Sequence, residues 1–280
     1  MVGRALVEYC SSLGERVFPY DHQSLDISDF DRVSEVVQQD KPDAIINCAA
    51  WTDVDGCELD KERAFRANAQ GPENLALAGR ELNARLVTIS TDYVFDGEKD
   101  GFYTQRDQPN PQSVYGVSKL EGERRAQSAH ARTIVVRTGF IFGPGGTNFL
   151  STVVERARRG EKLKAIGDAY GTPTYSLDLA ARLRELVELD LPGIFHVVNA
   201  GDGVSYEVFA RAALDAGGFS SANLTTVSNN SLQRPAARPQ NSRLRCLLSE
   251  AVGLSPLPFW KDSLTDFVAK NSQGELAAKS

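Results

Sequence analysis

Tyr115 and Lys119, in the stretch VYGVSKLEGE (114–123), are four residues apart, which on a helix puts them on one face, one turn apart. An ammonium group beside a phenol favours the phenolate, so the pair predicts a tyrosine whose pKa is drawn from about 10 toward neutrality. Such a phenol can give a proton to a carbonyl oxygen, or take one from an alcohol, near pH 7. A second group stands in STDYVFDG (90–97), where Thr91, Asp92 and Tyr93 follow the apolar run ARLVTI. Hydroxyls at the end of such a run supply neutral donors for a carbonyl or a sugar hydroxyl. Each stretch alone also has a plainer reading. Tyr-x-x-x-Lys occurs on many solvated helices, and loop hydroxyls often only satisfy turn backbone. No metal site is expected, because Cys10, Cys48, Cys57 and Cys246 form no CxxC and His22, His130 and His196 lack ligand spacing.

These side chains need a frame, and the apolar pattern predicts one. ERVFPY, DAIINC, ARLVTIS, RTIVVRT and GIFHVVN are near-continuous apolar runs of the kind found in strands covered on both faces. Amphipathic stretches around 30–39, 58–83, 115–129 and 178–189 lie between them. Strand–helix alternation predicts an α/β fold, an open, doubly wound parallel sheet of the Rossmann type. In such sheets ligands bind at the carboxyl ends of the strands, where Thr91, Asp92 and Tyr93 would emerge. Asp178 is expected to cap the helix that follows it. Beyond residue 143 the periodicity weakens into GPGGTNF, GDAYGTPTYS and QRPAARPQNS, a loop-dominated part suited to a substrate pocket. The expected division is a dinucleotide-binding domain over 1–142, with 172–202 returning to the sheet, and a mainly substrate-binding region over 143–280. The final NSQGELAAKS reads as a frayed tail.

Composition narrows the partners. The 280 residues carry 31 basic against 37 acidic side chains, a formal net charge of -6, with no Lys/Arg run. That balance argues against nucleic acid or an anionic membrane surface as the main partner. No apolar stretch approaches the ~20 residues of a membrane span, and the N-terminus does not read as a signal peptide. The expectation is a cytoplasmic protein with reduced cysteines.

The order of the motifs carries more than any one of them. A strand, STDYVF, then YGVSK and the strand RTIVVRTGFIFGPGG resembles the extended short-chain dehydrogenase/reductase family. PDAIINCAAWTDVDGCE, STDYVFDG, NFLSTVVERARRGEKL, GTPTYSLDLA and ARPQNSRL are similar to successive blocks of the dTDP-4-dehydrorhamnose reductases, nearly end to end. The resemblance implies NAD(P)H-dependent reduction of the 4-keto group of dTDP-4-dehydro-L-rhamnose to dTDP-L-rhamnose. Tyr115 would be the proton donor, Lys119 would tune it and bind the nicotinamide ribose, and Thr91 would hydrogen-bond the same oxygen. Val54, Asp92, Tyr93 and Phe140 would line the sugar pocket. Asp26 and Ile27 would hold the adenine, and Ala49, Ala50, Trp51 and Thr52 would pass the cofactor. Phe140 stands where the family usually has Trp, and Ala169 where it commonly has Gln, so the resemblance fixes the chemistry more firmly than the sugar. Another nucleotide keto-sugar is the near alternative. A non-catalytic regulatory member, like the β subunit that partners methionine adenosyltransferase, is the distant one. A homodimer stays open as the assembly.

The opening MVGRALVEYCSSLGERVFPYD reads as the second half of a dinucleotide-binding unit, a helix and then a strand closing on an acid. Gly3 fits the last glycine of the family's phosphate-binding turn. Asp21, 18 residues later, lies near the ~20 expected of the ribose-binding acid. A carboxylate there leans toward NADH over NADPH, with both open. The first strand and two glycines are missing. The expectation is a start codon set too far downstream or a trimmed chain, with a natural variant that fills the gap otherwise as the alternative.

Overall fold

A computed structural model describes residues 1–277, with side chains described through Asn271. Its centre is a four-stranded parallel sheet in the order β1 (Ala44–Asn47), β2 (Arg85–Thr91), β3 (Thr133–Thr138), β4 (Gly193–His196). The register aligns Ile89 with Val136 and Thr91 with Thr138 across β2 and β3. All six residues of β3 are buried, as a continuous apolar run covered on both faces requires.

Two apolar layers do the covering. On one face Val87, Ile134, Val136 and Phe195 pack with Ala5 and Leu6 of the Val2–Ser12 helix and Leu179, Leu183 and Leu186 of the Ser176–Leu189 helix. On the other, Leu86 packs with Val33 and Val37 of the Phe30–Asp40 helix, Leu75 and Ala76 of the Gly71–Glu81 helix, and Ala126 of the Val114–Ala129 helix. The fold is the expected doubly wound Rossmann-type sheet. No described helix is long and apolar enough to cross a membrane.

Five expectations are corrected. Residues 15–20 of ERVFPY form no strand, because a strand exists only through its ladder and no described backbone partner lies beside them. The stretch 58–83 is not one helix but Val54–Leu59, Lys61–Phe65, a π-turn over Arg66–Gln70 and Gly71–Glu81. Asp178 caps nothing. It sits inside its helix, which begins at Ser176, and accepts hydrogen bonds from Asn199 Nδ2 and Ser263 Oγ, both at 2.6 Å. Residues beyond 143 are not loop-dominated: Phe142, Leu150, Phe209, Trp260 and Phe267 build a third core around the parallel pair Leu163–Ile166 and Leu224–Val227. The last helix runs over Trp260–Ala277, through most of the expected tail, and 278–280 lie outside the described residues.

Candidate active site

Because the central strands are parallel, β1, β2 and β3 release their next residues at one edge, and the chemistry-bearing side chains gather there. Thr91 ends β2, and Asp92–Val94 forms a single 3-10 turn. The Val114–Ala129 helix starts beside it, its first turn capped by Ser113 Oγ, which accepts from the Gly116 N–H at 3.2 Å. Gly116 lets the helix press in: a Cβ there would overlap the carbonyl oxygen of Tyr93. Gly122 does the same against the carbonyl of Asn68 in the π-turn. That approach brings the Tyr115 hydroxyl into hydrogen bond with Thr91 and sets its ring edge-on to Tyr93, centroids 5.9 Å apart.

The electrostatics differ from expectation. Burial drives the Tyr115 phenol up rather than toward neutrality, and the neighbouring Asp92 carboxylate adds to the rise. Lys119 does not offset it. Its Nζ donates to the Ile89 carbonyl oxygen at 2.6 Å, turned toward the β2 backbone. Spacing placed the two residues on one face, but the buried ammonium finds its nearest acceptor on the strand below. Burial lowers Lys119 from 10.5 to about 8, with Glu123 opposing. Glu123 itself is held by a buried bidentate pair with Arg137 (Nη2–Oε2 2.7 Å, Nε–Oε1 3.0 Å) and by the Ser90 hydroxyl.

Asp92 is 3 % exposed and has no cationic partner among the described residues. Burial raises it from 3.8 to about 6, against hydrogen bonds from Ser242, Thr91 and the Tyr93 backbone N–H. Gly139, just after β3, makes its room, since a Cβ there would run into the carboxyl. Beyond Asp92 a cleft is walled by Tyr93, Phe140, Ala169, Tyr206, Arg234 and Arg238. Phe140 takes φ +48° and lays its ring 4.2 Å from that of Tyr206. Arg238 pairs with Asp55 (Nη2–Oδ2 2.8 Å), tying the helix that begins at Val54 to the C-terminal segment.

The cofactor candidates lie on the other side of the edge and are differently built. Ala49 N–H donates to Asn47 Oδ1 at 3.0 Å. Trp51 is clasped by Asn68, whose Oδ1 accepts from the Trp51 N–H at 2.8 Å and whose Nδ2 donates back at 3.1 Å. Arg63 stacks on the Trp51 ring, 4.4 Å from its centroid. Ala49 and Thr52 are exposed, while Ala50 and Val54 are half-buried. Asp21 and Asp26 are exposed and close their own turns through Ser24 and Ser28, which hold both carboxyls below the usual range. Ile27 packs against Gly71, and its carbonyl accepts from Asn74. Gly3 is not needed for close packing: a Cβ there would sit 3.7 Å from that of Cys48, ordinary contact. Thus Tyr93 and Phe140 line the cleft, Thr91, Asp92 and Tyr115 cluster against Tyr93 behind it, and Lys119 lies one turn along the helix. Asp21 and Asp26 stand apart in their own loop. Tyr206, Arg234, Arg238 and Ser242 were missed as site residues, although Arg238 and Ser242 fall within the block ARPQNSRL. The buried Glu123 was signalled only by its place four residues after Lys119.

Comparison with known proteins identifies the family. The family model described as RmlD substrate binding domain matches residues 1–273. A dTDP-4-dehydrorhamnose reductase from Mycolicibacterium smegmatis is 37% identical over 272 residues, 96% of this chain and 82% of its own length. The crystal structure of a dTDP-4-dehydrorhamnose reductase from Clostridium acetobutylicum superposes with TM-score 0.92 at 35% identity, covering 97% of this chain and 96% of that one. That of the Bacillus anthracis enzyme, in complex with NADP, gives TM-score 0.92 at 33% identity, covering 96% and 95%. The chain belongs to the RmlD substrate binding domain family, together with the dTDP-4-dehydrorhamnose reductases it resembles along nearly its whole length.

Proposed function

We propose that this protein reduces the 4-keto group of dTDP-4-dehydro-L-rhamnose to dTDP-L-rhamnose at the expense of NADPH or NADH, in the cytoplasm, with Tyr115 as proton donor. The observation that carries the reading is the hydrogen-bonded pair of the buried Thr91 and the half-buried Tyr115, set against Tyr93 of the cleft wall. The Tyr115 hydroxyl can donate to a carbonyl oxygen placed beside it while the Thr91 hydroxyl supports Tyr115 from behind, and that donation strengthens as the oxygen becomes an alkoxide. The raised Tyr115 phenol keeps its proton at neutral pH, the state a donor needs.

The chain's own groups fit a nicotinamide dinucleotide. Lys119 spends one of its three N–H donors on Ile89, which leaves two for ribose hydroxyls. Asp21 takes its bonds from Gln23 and Ser24 on Oδ1, which leaves Oδ2 free to accept from the adenosine 2′-hydroxyl. Bound NAD(P)H supplies the hydride. In this reading residues 1–142 with 172–202 hold the cofactor, and 143–280 mainly hold the sugar nucleotide. Phe140 on the cleft wall supports a second reading, a different nucleotide keto-sugar reduced by the same groups.

The test is turnover of dTDP-4-dehydro-L-rhamnose, followed by loss of reduced-cofactor absorbance, in the wild type and in Tyr115→Phe. The variant is expected to lose at least ~10²-fold in kcat while cofactor affinity, read from reduced-cofactor fluorescence, stays near wild type. Equal activity in the two proteins refutes the assignment. Faster turnover of another keto-sugar nucleotide selects the second reading.

A further inference from the structure

Asp92 is a buried carboxylate at the site that the proton donation above leaves unused and, unlike Glu123 with its Arg137, it has no cationic partner among the described residues, so its setting is costly. It is surrounded by neutral groups: the phenols of Tyr93, Tyr115 and Tyr206, the hydroxyls of Thr91 and Ser242, and the backbone after β3 at Gly139. An anion without a cation in such a place is destabilising and stays only when something else maintains it. Its contacts form a line. The Tyr115 hydroxyl is hydrogen-bonded to Thr91, the Thr91 hydroxyl donates to Asp92 Oδ1 at 3.1 Å, and the Ser242 hydroxyl on the cleft wall is shared between Asp92 and the Tyr170 carbonyl oxygen, the latter at 3.3 Å. Tyr93 N–H donates to Thr91 Oγ1 at 3.1 Å and holds the middle member in place.

We infer that Asp92 is a proton relay residue, which resupplies Tyr115 through the Thr91 hydroxyl and is itself recharged from the cleft through Ser242. The inference rests on the reductase reading. With Asp92 protonated, its O–H donates to Thr91, Thr91 donates to Tyr115, and Tyr115 donates to the substrate carbonyl. As hydride reaches the carbonyl carbon, the Tyr115 O–H bond breaks and the new alcohol O–H forms. The Thr91 proton moves to Tyr115 and the Asp92 proton to Thr91, which leaves both hydroxyls intact and a carboxylate at Asp92. The sum is one carbonyl, one hydride from the cofactor and one proton from Asp92, giving one alcohol. Without the relay a phenolate would form beside a carboxylate in a buried site, two like charges with no screening between them. With it, the negative charge that remains is the single carboxylate, and solvent protonates that through Ser242.

Asp92→Asn tests the relay, because the amide still accepts from Thr91 but has no proton to release near neutral pH. The expected result is a fall of at least ~10-fold in kcat at pH 7 with KM and cofactor affinity unchanged. The pH profile adds a readout that a structural role would not move. Wild-type kcat should decline as pH rises through the Asp92 carboxyl's range, since the acid is the donor, and Asp92→Asn should lose that limb. The wild type should also give a curved rate dependence in mixed H2O/D2O, marking several protons in flight, and the variant a linear one. Should Asp92→Asn fail to fold by circular dichroism, Ser242→Ala carries the same readouts with Asp92 in place. Unchanged kcat and profile overturn the relay, as does a rise in KM alone, which would make Asp92 a substrate ligand only. A wild type that binds cofactor and keto-sugar yet transfers no hydride overturns the functional reading first, and the relay with it.

Discussion

The two sides of the sheet's carboxyl edge are built by opposite means. Around β2 and β3 the candidate groups are buried or half-buried, and the polar ones are held by groups distant in the chain: Tyr115 by Thr91, Lys119 by Ile89, Glu123 by Arg137, Asp92 by Ser242. Around residues 21–28 the carboxylates are exposed, and each is held by a serine two or three residues away. Proton chemistry needs fixed distances and altered acidity, which only a packed interior supplies. Holding a flexible dinucleotide's ribose needs an accessible acceptor, which a self-contained turn presents well. The contrast shows where each half of the reaction is vulnerable.

Breaking the buried side should have the largest effect. Glu123→Ala strands the Arg137 guanidinium in a dry site and should cost about 3–5 kcal/mol of stability, measurable as a lower midpoint in urea unfolding. A cost near zero would mean that water reaches the pair and that this side is no more closed than the other. The middle effect has the opposite sign. The Asp92 carboxyl is 3.8 in ordinary surroundings and about 6 in the fold, so the folded state binds more protons between those values. Stability should therefore fall as pH rises from about 4 to 6 and stay lower above. Asp92→Asn removes that penalty and should gain roughly 2–3 kcal/mol at pH 7, a gain that fades below about pH 4. A variant less stable than wild type at pH 7 would count against a strained carboxylate. The smallest effect belongs to the exposed side. Asp21→Ala should leave the urea midpoint at the wild-type value while weakening NADH more than NADPH in fluorescence titrations.

The same contrast decides what could be read in the residues alone. DAIINC, ARLVTIS, RTIVVRT and GIFHVVN are strands whose apolar continuity states that both faces are covered, and helices indeed cover them. ERVFPY has the same composition but no ladder, and pairing is a property of neighbours rather than of the segment. The break in 58–83 turns on Asn68, buried in the π-turn and committed to both backbone groups of Trp51, a contact 17 residues distant in the chain that no periodicity announces. At the site, the positions of Thr91 and Tyr115 were legible because strand end and helix start lie where the pattern puts them. Their acidity was not. Spacing says that Tyr115 and Lys119 share a face, but the direction of the Lys119 ammonium depends on the carbonyl of Ile89, and the Tyr115 shift depends on burial. The cleft wall from Tyr206 to Ser242 was illegible for another reason: Tyr206 leans on a third core whose own pattern is weak, and Arg234, Arg238 and Ser242 come from an irregular segment without periodicity.

Gly116 and Gly122 press the helix of Tyr115 directly against two stretches of main chain, whereas the cleft facing it is walled by side chains such as Phe140 and Ala169. Main-chain contacts cannot be altered by exchanging one amino acid elsewhere; side-chain walls can. An exchange on the wall therefore reshapes the cleft without moving the helix of Tyr115, whereas a side chain at Gly116 or Gly122 would push that helix off the main chain it rests on.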